Sequence, residues 1–370
     1  MKIAFYSPLD PALVGGVRSW LVDFWPRFLE TRDSSLHIVH TGTRPSRFAE
    51  SYLSIPQHPR ISIEALRGPA LPGSGGRLPS VRKLSRAIAN ADVCYFDNGY
   101  AFQDVAALDA AKNAGVPTIS GHHAVIRFGG LHDVAWNWIG KRMMHRFSAA
   151  HALNARDAEY LRSVGARNVH IIPIAVDLRT FVPRAVKAEP FTVLFVGRFH
   201  YQKGIDRLVR IVQLAHRRYG TEMRFTILGS GPMVAEVNRA SLSPNVMLER
   251  SGQREEIADQ MSRAHALIVP SRWETFGIVA AEALSAGTPI VATAAGALPE
   301  MAADGRGEII LDAENPEQWC TALERMRERY RNDSSYADTI GQATRRYAEA
   351  AFSFETTAEL FDTMLESVVR

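Results

Sequence analysis

The chain has 370 residues, 46% of them hydrophobic and 22% charged, with a formal net charge of +4. That is the composition of a soluble globular protein of two or three domains at ~100–200 residues each, and it excludes a disordered or fibrous chain. No apolar run approaches the ~18–20 residues of a membrane span, and the opening MKIAFYSPLDPALVGG reads as no secretory leader. Cys94 and Cys320 lie far apart and point to neither a disulfide framework nor a metal cluster, so a reducing cytoplasm is the expected compartment. The charge is uneven: +7 over residues 1–180 and −3 over 181–370. Without a Lys/Arg block interleaved with aromatics, nucleic acid is not expected as a partner. An anionic acceptor or a membrane surface suits the basic half, as does an ordinary solvated face.

In chain order, residues 2–6 read as a strand, followed by a loop at Gly15-Gly16 and a helix over about 18–29. Residues 36–40 form the next strand, and the Gly/Pro-rich stretch 67–80 is a surface loop. Strands at 93–96 and 118–120 flank a helix over 101–114; helical character at 134–148 precedes a strand at 169–174. A second cycle opens with a strand at 191–196, the loop GRFHYQKG and a helix to about 219. Strands at 225–228, 246–248, 266–269, 289–292 and 308–311 follow, with the join between cycles at 173–183. This alternation predicts parallel sheets built from βαβ units, two Rossmann-like domains facing across an interdomain cleft, and binding at the carboxyl ends of the strands.

Four constellations could carry chemistry. In VPSRWETFGIVAAEALSAGTP, Glu274 falls in a loop after a strand, Gly277 opens a helix, and Glu282 lies within it. A helix N-terminus suits a diphosphate, and two carboxylates on successive elements suit paired sugar hydroxyls; both also read as surface charges of an ordinary αβ unit. Gly197-Arg198 with Lys203-Gly204 sets two cations after a strand, where they could neutralise a diphosphate, though the spacing is no P-loop. Gly229-Ser-Gly231-Pro232 lacks the third glycine of a dinucleotide fingerprint and reads as a tight turn. At Gly15-Gly16 bare backbone could approach a ligand.

Together these residues resemble glycosyltransferase family 4, retaining nucleotide-sugar enzymes of the GT-B fold. Its E-x7-E signature is matched by Glu274 and Glu282, with GRxxxxKG at 197–204, LGSGP at 228–232, PSRWE at 270–274 and the early Gly-Gly loop. The resemblance implies an acceptor-binding Rossmann-like domain at 1–175, a donor-binding one at 176–350, and a C-terminal helix at 351–370 crossing back to the first. Arg198 and Lys203 would bind the donor diphosphate and stabilise the departing charge. Glu274 would hold the donor sugar with backbone N–H groups of Phe276, Gly277 and Ile278, and Glu282 the ribose. Gly15, Gly16, Gly197, Gly229 and Gly231 would line the donor site, and His123, with His122 adjacent, would touch the donor sugar. Arg254 would lie near the base.

The sequence departs from the family pattern at the linker, which reads Ile-Pro-Ile-Ala-Val-Asp rather than Ile-Pro-Asn-Gly-Val-Asp, and at the later glycine pair, here Gly296-Ala297. Neither change touches the cations or the glutamates. No D-x-D triplet is present, so no metal and no cofactor are expected; the nucleotide sugar (UDP- or GDP-linked) is a co-substrate. The expected reaction is metal-independent hexosyl transfer to a hydroxyl acceptor with retention, the acceptor a lipid-linked or cell-envelope glycan precursor. Arg77, Arg82, Lys83, Arg86 and the stretch WNWIGKRMMHR at 136–146 would rest on an anionic membrane at its inner face, or simply pack as an amphipathic helix. The alternatives are a soluble small-molecule acceptor, a GT-B sugar-nucleotide epimerase, and a non-catalytic sugar-nucleotide-binding protein.

Overall fold

The computed structural model describes residues 1–8, 20–41, 58–69, 77–97, 102–123, 138, 140–184, 186–240, 243–249 and 253–369. The chain forms two compact units, Met1–Ile174 with Thr357–Arg370, and Ala175–Thr356. In the first, β1 (Lys2–Ser7), β2 (Ser35–His40), β3 (Ile61–Ala65), β4 (Val93–Phe96), β5 (Thr118–His122), β6 (Ala149–Ala152) and β7 (Val169–Ile171) make one parallel sheet in the order β3-β2-β1-β4-β5-β6-β7. Central strands such as β4, with the sequence VCYF, are buried throughout, as a sheet covered on both faces requires. The edge strand β3 is exposed from Ser62 to Ala65 and has no such apolar run, so periodicity did not reveal it.

Other differences from the expectation have local causes. The helix placed over 18–29 is a wide turn at Trp20–Phe24 followed by an α-helix at Trp25–Thr31, because Pro26 in the first turn lacks the N–H that would continue the earlier turn. Strand β5 runs two residues past Ser120 and takes in His122. Residues 140–143 are helical, a 3-10 turn follows at Met144–Arg146, and β6 then begins at Ala149, where a run of small residues gave no strand signal. The helix Ala155–Ser163, also unforeseen, starts where the Asn154 side chain accepts from Asp157 N at 2.8 Å.

The first unit is closed by the last helix, Phe354–Val369. Phe361 is fully buried among Trp20, Phe24, Trp25, Phe28 and Tyr95, with ring centroids 5.3–5.9 Å away. Arg32 meets Asp362 at 2.5 Å, and Asn168 donates to the Ser367 hydroxyl at 2.8 Å. Truncating a ring so enclosed costs about 3–5 kcal/mol. Among the described residues, no helix is long and apolar enough to cross a membrane.

Beneath Trp20 lies a buried polar chain. The Ile172 carbonyl only accepts, so His151 donates to it from Nε2 at 2.7 Å and accepts at Nδ1 from the Tyr95 hydroxyl at 2.7 Å. The Tyr95 oxygen in turn accepts from His123 Nε2 at 2.9 Å, leaving His123 Nδ1 as a buried lone pair with no partner among the described residues. Burial holds His122 near 3, His151 near 4 and His123 well below its ordinary 6.5. The unfolded chain takes up these protons below about pH 6.5 and the folded chain does not, so the stability they confer is complete above that value and lost on acidification. Asp97, pushed up to about 7 by burial, acts in the opposite sense between pH 4 and 7, one group against three. His265 of the second unit, held near 4 by burial, adds to the loss, so a net loss of roughly 3–5 kcal/mol is expected between pH 7 and pH 5. Urea midpoints at the two pH values measure it, and equal midpoints would contradict the neutral-histidine assignment.

The second unit repeats the plan with β8 (Phe191–Val196), β9 (Met223–Leu228), β10 (Val246–Glu249), β11 (Ala266–Val269), β12 (Ile290–Thr293) and β13 (Gly307–Ile310), parallel in the order β10-β9-β8-β11-β12-β13. Its core packs Phe191, Phe195, Phe225, Ile268 and Val291 of the sheet against Leu208, Val212, Trp319 and Leu323 of the helices Ile205–Tyr219 and Pro316–Asn332. Successive strands run outward one way from β8 and the other way from β11. The switch point between those two is where ligands bind in open α/β sheets.

Candidate functional site

The carboxyl ends of β8 and β11 carry the loops 197–204 and 270–277, and a set of polar contacts zips the two together. The Arg272 backbone N–H donates to the Gln202 carbonyl at 2.8 Å. Its guanidinium grips both Asp206 oxygens at 2.7 Å, which holds that carboxyl below the usual range, and also reaches the Tyr201 carbonyl at 3.1 Å. Arg207 donates to the Pro270 carbonyl at 3.0 Å and pairs with Glu314. Gly204 makes the approach possible. It sits at φ +69°, and a Cβ there would lie 2.0 Å from the Pro270 oxygen. Lys203 and Glu274 consequently meet, Nζ to Oε2 at 2.7 Å, with side chains only 24% and 12% exposed.

Glu274 is fixed from behind by the turn after β12. Gly296 adopts φ +51° with its Cα against the Glu274 and Thr275 carbonyls, and Ala297 N–H donates to Thr275 O at 3.1 Å. Replacing the second glycine of that pair by Ala297 therefore leaves the close approach intact, since Gly296 is the residue that makes it. Gly277 caps the helix Ile278–Ser285 in a left-handed conformation and lies against the Glu274 side chain. The ring of Phe276 is buried edge-on to Phe352, so only its backbone remains for a ligand. Glu282, within the helix, stands 4.0 Å from the Arg254 guanidinium.

Arg198 is exposed beside a cavity of about 230 Å³ lined by Val196, Gly197, Leu228, Gly229, Ser230 and Ile257. The turn holding Gly229 and Gly231 is tied to this loop through Gly197 N to Leu228 O at 3.0 Å and Phe199 N to Ser230 O at 2.7 Å. The sequence candidates of the second unit thus fall into three neighbouring groups on one sheet edge: Lys203 with Glu274, Glu282 with Arg254, and Arg198 with the glycine turns. His123 and His122 belong to the first unit and are buried. Gly15 and Gly16 lie outside the described residues, as do residues 136, 137 and 139 of the Trp/Arg stretch.

Two features were missed by the motif reading. Arg272 stands inside PSRWE but has no role in the carboxylate pattern, although its pairing with Asp206 aligns the whole loop pair. Asp97, at the carboxyl end of β4 beside β1, marks the switch point of the first sheet. Ser7 donates to its Oδ2 at 3.0 Å, while Oδ1 is buried with no partner among the described residues.

Comparison with known proteins agrees with this architecture. Residues 14–180 match the family model of Glycosyltransferase Family 4, and residues 190–329 that of Glycosyl transferases group 1. D-inositol 3-phosphate glycosyltransferase of Paenarthrobacter aurescens is 31% identical over 208 residues, 52% of this chain and 50% of that protein. The chain spans about half the length of the curated relatives it matches. Among solved structures, Anabaena HepE in complex with UDP superposes with a TM-score of 0.78 at 18% identity, covering 100% of both chains. Sucrose-phosphate synthase from Thermosynechococcus elongatus gives 0.75 at 20% identity, covering 99% of this chain and 98% of its own. The two family models thus fall on successive halves of a chain whose fold is that of the GT-B glycosyltransferases.

Proposed function

We propose that the protein transfers a hexosyl group from a nucleotide-diphosphate sugar to a hydroxyl acceptor, with retention and without a bound metal. The observation that carries this reading is the Lys203–Glu274 pair at the β8/β11 switch point, beside the helix start at Gly277. In this reading Arg198 and Lys203 take the diphosphate, Glu274 the donor-sugar hydroxyls, and Glu282 the ribose. Arg254, 4.0 Å from Glu282, lies toward the base. The cations stabilise charge as the bond from C1 to the phosphate oxygen breaks. The new bond forms from C1 to the acceptor oxygen, and the acceptor proton passes to the departing phosphate on the same face. In the first unit, Asp97 Oδ1 and His123 Nδ1 are buried acceptors without partners among the described residues, and substrate hydroxyls would satisfy both.

UDP is the first nucleotide to test, because HepE, similar in fold, was solved with UDP and with UDP-glucose. For the acceptor, the basic first half favours an anionic compound, in keeping with relatives named for inositol 3-phosphate. A peripheral membrane contact has a specific observation behind it: Trp138 is 59% exposed under the Arg142 guanidinium at 3.7 Å. The deciding experiment is titration calorimetry with UDP, GDP and their glucose and mannose conjugates, with and without EDTA. One diphosphate is expected to bind with EDTA present and to lose affinity in Glu282→Ala. If none binds, the reading fails; if EDTA abolishes binding, its metal-free form does.

A further inference from the structure

We propose that Tyr201 and Trp273 form a stacking platform for a pyranose ring of a glycan, set directly beside the Lys203–Glu274 pair. The proposal rests on the sugar-transfer reading and extends it to a second saccharide, distinct from the one transferred. Tyr201 is 52% exposed and Trp273 41%, and the two rings meet at 6.4 Å between centroids and 64° between planes. Neither belongs to the hydrophobic core, yet neither is loosely held. One face of Tyr201 rests on the Arg272 guanidinium at 3.7 Å, and that guanidinium is itself clamped by Asp206. The carbonyl of Trp273 accepts from the Gln202 side chain at 3.4 Å, and the adjoining Arg272 N–H is bonded to the Gln202 carbonyl.

Two large rings are therefore held edge to face, each with much of its surface in water. A rigid aromatic surface binds with little loss of conformational entropy. The flat side of a pyranose offers the matching chemistry, a patch of C–H groups with slight positive charge that leaves water against the negative face of an aromatic ring. Position favours a sugar over a nucleobase. Trp273 immediately precedes Glu274, and Tyr201 lies two residues before Lys203, whereas Arg254 and Glu282 lie on other elements.

The test is saturation-transfer NMR on the full chain with UDP present, using methyl α-glucoside, maltose and cellobiose as probes. Transfer to the ring C–H protons of at least one disaccharide is expected. Its dissociation constant should rise about tenfold or more in Y201A/W273A and recover in W273F. UDP affinity, measured alongside, should stay within about threefold of wild type. No transfer from any probe to the wild-type chain, or equal binding by the double variant, overturns the proposal. A drop in affinity for UDP-glucose but not for UDP would assign the stacked ring to the donor and overturn the glycan assignment. Loss of sedimentation with phosphatidylglycerol vesicles in the double variant, with saccharide binding unchanged, would make the pair a membrane contact instead. Failure of the wild type to bind UDP would strike the sugar-transfer reading, while the saccharide signal reports on the platform separately.

Discussion

Glu274→Gln is expected to lower kcat for sugar transfer by about 10²–10³-fold while leaving affinity for free UDP within a few-fold of wild type. The substitution keeps the shape of the side chain but removes the charge that meets Lys203 at 2.7 Å. In the proposed mechanism this carboxylate orients the sugar whose C1 is attacked, so its loss falls on the chemical step rather than on nucleotide binding. Lys203→Ala should behave differently, because in the same mechanism its ammonium would face the diphosphate in both the bound and the departing state. It should weaken UDP binding and slow transfer together, and Arg198→Ala should do the same. Steady-state kinetics with calorimetry of UDP separates the two patterns. Full activity in the glutamine variant would remove Glu274 from the site, and a parallel loss of UDP affinity would move it from the sugar to the nucleotide.

Gly204→Ala should be severely destabilising although it adds one methyl group. At φ +69° an alanine is strained by roughly 1–2 kcal/mol. Its Cβ would also fall 2.0 Å from a backbone carbonyl, an atom that cannot swing aside like a side-chain tip. A loss of about 3 kcal/mol or more is expected, lowering the melting temperature of the second unit by roughly 6–12 °C. Whatever folds should bind UDP less well, since the same clash separates the loops that bring Lys203 to Glu274. Gly305→Ala, in the same unit at φ +78° and with nothing within 4 Å of the added methyl, is the comparison that separates the clash from the positive-φ strain. Equal melting temperatures for the two variants would show that the loops part without cost.

The apolar runs of β1, β4, β8 and β11 made both parallel sheets legible, because strands covered on both faces read as unbroken hydrophobic stretches. The strands β3 and β6 escaped for opposite reasons: one is an exposed edge, the other a run of small residues. In the candidate site, motif spacing singled out Glu274, Lys203 and Glu282, which are close in sequence to the turns that position them. It could not find the Arg272–Asp206 clamp, a contact 66 residues apart in sequence. Nor could it find Asp97, whose significance comes from lying at the point where the order of the first sheet reverses. Glu274 was legible as a candidate but not as the partner of Lys203, since a charge pair across two loops leaves no periodic trace.

The residues that complete the first unit come from the far end of the chain. Phe361 seats among rings contributed by residues 20–95, yet the ribosome adds it only after the second unit has been made. Synthesis and folding therefore run in different orders. The second unit, whose residues end at Thr356, has its full complement of core side chains first, and the first unit waits for the last helix to emerge. Until then its nest of tryptophans and phenylalanines lacks the ring that closes it.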